Sequence, residues 1–157
     1  MHAPPSLNCG AVTERTRPAS HRPWGTDPLP DPHIWTTLGY RNAGSERGRV
    51  LIEWDAPEEY SFPWGDGHVI HGGMIATLLD TAMGSACWTV LDAHERFLTG
   101  ELRVEFYRSA RPGLLRAEGR VVHRTRRVVF CSAELTDAEG SPIAGSRCTQ
   151  VVLGRPG

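Results

Sequence analysis

The hydrophobic pattern is strongest in one long segment near the middle of the chain. From Met74 onward, residues 71–91 are apolar or small at nearly every position, and Asp80 is the one carboxylate among them. Apolar residues fall on every side of a 3.6-residue wheel, which predicts a helix that is buried all round. We exclude a membrane span, because a central Asp would cost about 2.5–3.5 kcal/mol and no Lys/Arg cluster flanks the segment.

Alternating apolar and polar residues predict strands on both sides of this helix. Val50, Ile52 and Trp54 share one face of a strand over residues 48–54. Four further runs follow the helix, at residues 98–108, 114–123, 128–136 and 143–153. Short turns separate them, so we expect consecutive runs to pair as an antiparallel meander. The pattern therefore predicts an α+β fold, a curved antiparallel sheet of five to six strands wrapped around one long central helix.

The start of the chain differs in composition from the rest. Residues 1–32 hold seven of the twelve prolines and no continuous apolar run. They lack the apolar core of a signal peptide, so we expect a flexible or extended arm before a single domain over residues 33–157. A short helix is predicted to begin with Asp31 as its N-cap and to bury Ile34, Trp35 and Leu38. Residues 57–68 are predicted to form a loop that leads into the long helix.

Composition and charge narrow the possible functions. The chain has 157 residues, of which 39% are hydrophobic and 22% are charged, and its net charge is −1. This balance indicates neither nucleic-acid binding nor binding to an anionic membrane. The four cysteines form no CxxC pair, and the seven histidines show no HxxxH or HExxH spacing. We therefore expect no metal site and no disulfide scaffold, and we favour a reducing cytoplasm.

The long helix also carries the candidate chemistry. Gly72 and Gly73 stand at its start, where the missing side chains leave the first backbone N–H groups open to a ligand. An ionised Asp80 in a buried helix is costly unless it is paired, hydrated or used. Two interpretations follow: a core helix whose Asp80 is satisfied by a neighbour, or a helix that carries an active site.

Three motifs lie at defined distances along the chain. The first is His71-Gly72-Gly73 followed by Asp80, eight residues after the first glycine. The second is Thr99 at the start of the run 98–106, and the third is the turn at residues 137–145 before the last strand. With these motifs, residues 39–153 resemble the hotdog-fold acyl-CoA thioesterases, in particular the phenylacetate-degradation type and its human thioesterase-superfamily relatives.

The resemblance implies an enzyme that hydrolyses an acyl-CoA thioester to free acid and coenzyme A, without a metal or redox cofactor. Such hydrolysis needs a polarised carbonyl and either a nucleophile or a base that activates water. We expect the Gly72 N–H to stabilise the oxyanion and Asp80 to act as nucleophile or general base. Thr99 either hydrogen-bonds the water or Asp80, or is an ordinary strand-end hydroxyl. His71 is expected to fix the turn before the helix rather than to transfer a proton.

The residues before the helix are candidates for substrate binding. Many relatives carry an Asn six residues before the motif histidine, where this chain has Gly65. Either that role is lost, or Asp66 or His68 replaces it. Three aromatic residues are candidates for an acyl pocket, with an ordinary core position as the alternative: Trp64, Trp88 and Phe106. Five arginines are candidates for the phosphates of coenzyme A, with a solvated surface as the alternative: Arg108, Arg111, Arg124, Arg126 and Arg127. Of these arginines we retain Arg126 and Arg127.

The spacing of the motif also predicts self-association. Gly72 and Asp80 are separated by roughly 12 Å along one helix, at 1.5 Å per residue. Both must come within about 3 Å of one thioester group, which one helix does not allow. Two antiparallel copies allow it, so we expect a homodimer with two shared sites, either alone or as half of a dimer of dimers. The alternatives are a hotdog hydratase or dehydratase and a non-catalytic acyl-CoA-binding or tailoring protein.

Deletion of residues 1–30 is expected to preserve the dimer and most of the activity. The reason is that the arm lacks the apolar content to contribute to the core. Thermal unfolding and size-exclusion chromatography of the truncated protein, compared with the full chain, check this expectation. A truncated chain that no longer folds would show that the arm is an integral layer of the domain.

Overall fold

The computed structural model describes residues 32–154, so residues 1–31, with the predicted N-cap Asp31, lie outside the described part. The elements in chain order are α1 (His33–Leu38), β1 (Tyr40–Glu46), β2 (Arg49–Ala56), a 3-10 helix (Glu58–Tyr60), β3 (Ser61–Trp64), β4 (Gly67–Ile70), α2 (Gly72–Trp88), β5 (Arg96–Phe106), β6 (Gly113–Arg124), β7 (Val128–Asp137) and β8 (Pro142–Leu153).

Six of the strands form one antiparallel sheet in the order β1-β2-β6-β7-β8-β5. Helix α2 packs on this sheet, and the apolar residues of β2, β6, β7 and β8 that face α2 join those of the helix in one core. The α+β arrangement of a sheet around one long helix, which the hotdog resemblance implies, is confirmed. Strands β3 and β4 form a separate two-stranded hairpin directly before α2.

Helix α2 begins and ends close to the predicted positions, but it is not buried all round. Its core side consists of seven buried residues: Ile75, Leu78, Leu79, Ala82, Met83, Ala86 and Cys87. The opposite side carries Thr77, Asp80, Thr81 and Gly84, which are only half-buried. That prediction was wrong for the single chain, because the sheet covers one side of the helix and leaves the side with small and polar residues partly open.

A glycine in β6 sets the distance between helix and sheet. Gly119 is buried on the face of β6 that meets α2, and a Cβ there would overlap the backbone carbonyl of Ala82 and lie 2.8 Å from the Met83 nitrogen. Backbone therefore meets backbone at this point, and no residue other than glycine fits without moving the helix.

The meander prediction holds for only part of the sheet. Strands β6, β7 and β8 pair consecutively, as expected. Strand β5, however, pairs with β8 and forms an edge of the sheet, so it does not lie beside β6. Local alternation identified β5 as a strand, but its partner depends on a connection that crosses the sheet, which the alternation does not encode.

Two further elements were mispredicted from local composition. Strand β1 was not predicted, because most of its residues are polar and exposed; it forms through its pairing with β2. Residues 57–68 were predicted as a loop but contain the 3-10 helix and most of the β3–β4 hairpin, whose two-residue turn places Gly65 at φ 61°.

The short helix α1 forms as predicted, with a different packing. Its N-cap is Pro32, with no side-chain capping bond, and Trp35 is its buried residue. Leu38 is half-buried and Ile34 is 49% exposed, so the predicted burial of Ile34 was wrong. A helix of six residues presents only part of its surface to the core, and Ile34 lies on the other part.

Substituting Gly119→Ala should lower the free energy of unfolding by about 3 kcal/mol, the upper part of the usual cost of overpacking. The reason is the overlap of the new Cβ with the Ala82 carbonyl. The matched control is Gly44→Ala, because a Cβ there would meet nothing closer than Leu51 Cβ at 4.0 Å. Urea unfolding of both variants checks this; equal, small effects would show that α2 does not rest on the β6 backbone.

Candidate active site

The start of α2 is fixed by the side chain of His71. His71 is the N-cap, and its Nδ1 accepts a hydrogen bond of 3.0 Å from the Gly73 N–H. The His71 N–H in turn donates to the Tyr60 carbonyl at 2.9 Å, which ties the turn to the 3-10 helix. The Gly73 N–H, which we expected to face a ligand, is therefore occupied within the chain.

The backbone N–H of Gly72 is differently placed. It has no hydrogen-bond acceptor within the part of the chain that the structure describes. It stands in the first turn of a 17-residue helix, where the N–H groups and the helix dipole favour negative charge. The Phe106 ring lies beside Gly72, with its Cζ 3.4 Å from the position of a Cβ. An oxyanion at Gly72 would thus meet an unused donor beside an apolar wall.

Asp80 lies two turns further along α2, on the half-buried side of the helix. Its Oδ1 accepts a hydrogen bond of 3.0 Å from the Thr99 hydroxyl on β5. The pairing of β5 with β8 has an irregularity between Thr99 and Glu101, which leaves Gly100 as an extra residue. Bulges of this kind redirect a side chain, and here Thr99 is directed at Asp80.

A third polar side chain belongs to this cluster and was missed in the sequence. Gln150 on β8 is 0% exposed, and its Oε1 lies 3.0 Å from the Thr99 hydroxyl. Its Nε2 donates to the Cys148 sulfur at 3.1 Å. A signal was present, because Cys148, Gln150 and Val152 alternate on the inward side of the last strand. A polar residue at such a position needs a buried partner.

The two proposed reacting groups do not meet within one chain. Gly72 and Asp80 lie on the same straight element, so roughly 12 Å of helix separates them. Two residues of β5 lie beside these groups: Phe106 contacts Gly72, and Thr99 contacts Asp80. The chain therefore presents two half-sites along one face, an N–H donor at one end and a carboxylate at the other.

The predicted binding residues of the hairpin lie apart from this cluster. Trp64 is 67% exposed and packs edge-to-face on Phe62, with ring centroids 6.4 Å apart. Asp66 is exposed in the turn, and His68 Nε2 lies 3.5 Å from Glu58 Oε1. Within residues 32–154, neither Asp66 nor His68 hydrogen-bonds to the acid of α2, so the structure does not join them to it.

The candidate arginines divide into two groups. Arg124 pairs with Glu95 at 2.5 Å and with Asp92 at 3.5 Å, and Arg108 bonds to Asp137 and to two backbone carbonyls, so both hold loops in place. Arg126 and Arg127 are exposed in the turn between β6 and β7 and form no ion pair with any residue of the described range. Arg111 is likewise exposed and outside the ion pairs of the described residues, with its guanidinium beside Gly67 of the hairpin. These three arginines are therefore open to an anionic ligand.

The remaining candidate aromatic residue, Trp88, and the described cysteines pack within the chain. Trp88 packs against Phe97 with ring centroids 5.9 Å apart. Cys87, Cys131 and Cys148 are buried free thiols. Across residues 32–154, no three His, Cys, Asp or Glu side chains are grouped so as to hold a metal ion. In the same range, no helix is long and apolar enough for a membrane span.

Comparisons with known proteins identify the family and the fold. The family model of the thioesterase superfamily matches residues 67–144, which contain α2 and strands β5 to β7. A protein of Saccharolobus solfataricus named "Putative esterase SSO2140" is 34% identical over 107 residues, which cover 68% of this chain and 74% of that protein.

Two solved structures are similar over most of the described chain. A thioesterase family protein from Silicibacter pomeroyi has a TM-score of 0.71 at 25% identity, covering 77% of this chain and 89% of its own. The PaaI protein from the phenylacetic acid degradation operon of E. coli has a TM-score of 0.71 at 19% identity, covering 80% and 87%, which shows a shared fold. With its six-stranded sheet around α2, its motif helix and these relatives, the chain belongs to the thioesterase superfamily and has the hotdog fold.

Proposed function

We propose that this protein is an acyl-CoA thioesterase in which Asp80 and the Gly72 N–H act on the same thioester. The observation that supports this most directly is that both groups are available to a substrate. Gly72 presents an N–H without an acceptor in the described chain, and Asp80 is a half-buried carboxylate oriented by the Thr99 hydroxyl. A carboxylate that served only the core would be turned inward, whereas Asp80 is on the open side of the helix.

The proposed reaction uses each group for one task. The thioester carbonyl oxygen would accept the Gly72 N–H, which stabilises the negative charge that develops on that oxygen. Asp80 would either take a proton from the attacking water or attack the carbonyl carbon itself. In both routes the carbon–sulfur bond breaks, coenzyme A leaves as a thiolate that takes up a proton, and water supplies the oxygen of the free acid. The reaction needs no metal or redox cofactor.

We propose that the active unit is a homodimer with two shared sites. The separation of roughly 12 Å between Gly72 and Asp80 requires a second copy to bring the groups together. Two surfaces support such a copy: the half-buried side of α2, and the edge strand β5 with its exposed Leu98, Leu102 and Phe106. An unpaired edge of eleven residues and an uncovered helix face are surfaces that proteins usually bury.

The two ends of the substrate would contact different parts of the chain. Arg126 and Arg127 would meet the phosphates of coenzyme A, and Trp64 with Phe106 would contact the acyl group. The E. coli relative belongs to a phenylacetic acid degradation operon, so an aromatic acyl group belongs in any substrate panel. The three buried free thiols fit a reducing compartment, and we place the reaction in the cytoplasm.

Replacing Asp80→Asn is expected to leave a folded protein and to lower kcat by roughly 10²–10⁴, the range for loss of a positioned acid–base group. The assay measures thiol release from short-chain, long-chain and aromatic acyl-CoA. Asp55→Asn is the matched control, because Asp55 is exposed on β2 away from the site; it should retain wild-type turnover.

Two outcomes would contradict the proposal in different ways. Near-normal turnover in a correctly folded Asp80→Asn variant would remove Asp80 from the mechanism. Binding of acyl-CoA without thiol release from any member of the panel would instead indicate a non-catalytic acyl-CoA-binding protein, an alternative that Gly65 in place of the usual Asn favours.

A further inference from the structure

Gln150 is a buried polar residue for which the proposed reaction has not yet given a role. It lies on β8 between β7 and β5, opposite Val129 on one side and Thr99 on the other. Within residues 32–154 only Ser146 and Gln150 are polar and buried, and Gln150 is completely so. Burying an amide costs free energy unless its groups are hydrogen-bonded, so the oxygen and the nitrogen of the Gln150 amide each need a partner.

The Thr99 hydroxyl has fewer protons than it has neighbouring acceptors. This hydroxyl has one proton and two acceptor oxygens at 3.0 Å, Asp80 Oδ1 and Gln150 Oε1. When Asp80 is ionised, as a base or nucleophile must be, its carboxylate only accepts. If the amide oxygen also only accepts, the two groups compete for one proton, and Thr99 points at Asp80 for only part of the time.

Rotation of the amide by about 180° about its last side-chain bond removes the conflict. The rotation exchanges oxygen and nitrogen without moving any other atom. Nε2 then donates to Thr99 Oγ1, and the Thr99 proton is left for Asp80 alone. Oε1 then faces the Cys148 sulfur, which lies 3.1 Å from the other end of the amide.

The thiol on the far side of the amide suits this arrangement. A hydrogen bond to Cys131, burial, and the charges of Cys131 and Asp80 raise the pKa of the Cys148 thiol above its ordinary value, although its hydrogen bond with Gln150 acts in the opposite direction. Cys148 therefore keeps its proton at neutral pH, and this single proton has two acceptors, the Cys131 sulfur and the rotated amide oxygen. When Cys148 gives its proton to the amide oxygen, every donor in the series Cys148, Gln150 and Thr99 points toward Asp80.

We propose that Gln150 is a positioning residue for Asp80: its amide donates to the Thr99 hydroxyl and so commits the hydroxyl proton to the carboxylate. This inference rests on the proposed role of Asp80 in thioester hydrolysis. The carboxylate is held in one orientation by a hydroxyl that has no competing acceptor. The bulge at Gly100 directs Thr99 toward Asp80, and a Cβ at Gly100 would lie 2.9 Å from Val151 Cγ2.

The first test is a double-mutant cycle on thiol release. Gln150→Met keeps the length of the side chain and removes its donors, and it is expected to lower kcat about tenfold with little change in KM, as for other partners that orient a reacting group. Thr99→Val should lower kcat by at least as much. The double variant should be no slower than Thr99→Val, because both substitutions break the same link.

A matched control separates positioning from general stability. Ser146→Ala removes the other buried polar side chain of β8, which donates to the Arg103 carbonyl at 2.8 Å and has no link to Asp80. It should change thermal stability but not kcat. Effects of Gln150→Met and Thr99→Val on kcat that simply multiply, or an unchanged kcat in folded Gln150→Met, would overturn the proposal.

A second measurement does not depend on activity or on the variants folding. In the wild-type protein, nuclear Overhauser effects from the Gln150 side-chain amide protons should reach the Thr99 side chain. Amide protons that contact only Cys148 would contradict the proposal. The role of Gln150 can fail while the proposed function holds. Loss of turnover in Asp80→Asn with normal turnover in Gln150→Met would leave the thioesterase mechanism intact and remove only the role of Gln150.

Discussion

The direct packing of α2 on the backbone of β6 is the contact on which the site depends. Because Gly119 has no side chain, the helix rests against the sheet at the level of Ala82, close to Asp80 in sequence. Because β6 and β5 belong to one sheet, we expect the spacing of α2 from that sheet to affect the contact of 3.0 Å between Asp80 and the Thr99 hydroxyl. We expect a helix held further from the sheet to lengthen this contact.

The same packing divides the helix into a buried side and an open side. The sheet of one chain covers only the apolar side, so the small and polar residues around Asp80 stay half-buried. The proposed chemistry and the packing of α2 both favour a second copy of the chain on this open side. A second copy over the open side would bury small residues, and it would also bring a Gly72 N–H to each Asp80, which one straight helix cannot do.

The sequence was informative where burial produces a strong local period. Helix α2 and strands β2, β6, β7 and β8 were identified in this way, because one face of each contributes to the core. Asp80 stood out for the same reason, as a charge in an apolar segment. The resemblance supplied Thr99, and the structure adds the contact between the two side chains.

The features that were missed depend on partners distant in the sequence. Strand β1 is polar because it is an edge strand, and only pairing with β2 makes it a strand. The position of β5 at the other edge follows from a crossing connection. The alternation of Cys148, Gln150 and Val152 indicated that Gln150 faces inward, but its role depends on the residue opposite it, Thr99. Local periodicity carries none of these pairings.

Complementation between two inactive chains tests the shared site most directly. Asp80→Asn removes the acid, and Gly72→Pro removes the N–H. The proline variant should fold, because proline is accepted in the first helical turn and because the ψ of 132° at His71 is compatible with a following proline. When the two variants are unfolded, mixed and refolded, random pairing makes about half the dimers mixed, and each mixed dimer has one intact site of two. Roughly a quarter of wild-type thiol release should therefore return. A mixture that stays inactive while mixed dimers are present would contradict the account, because it would mean that each site lies within one chain.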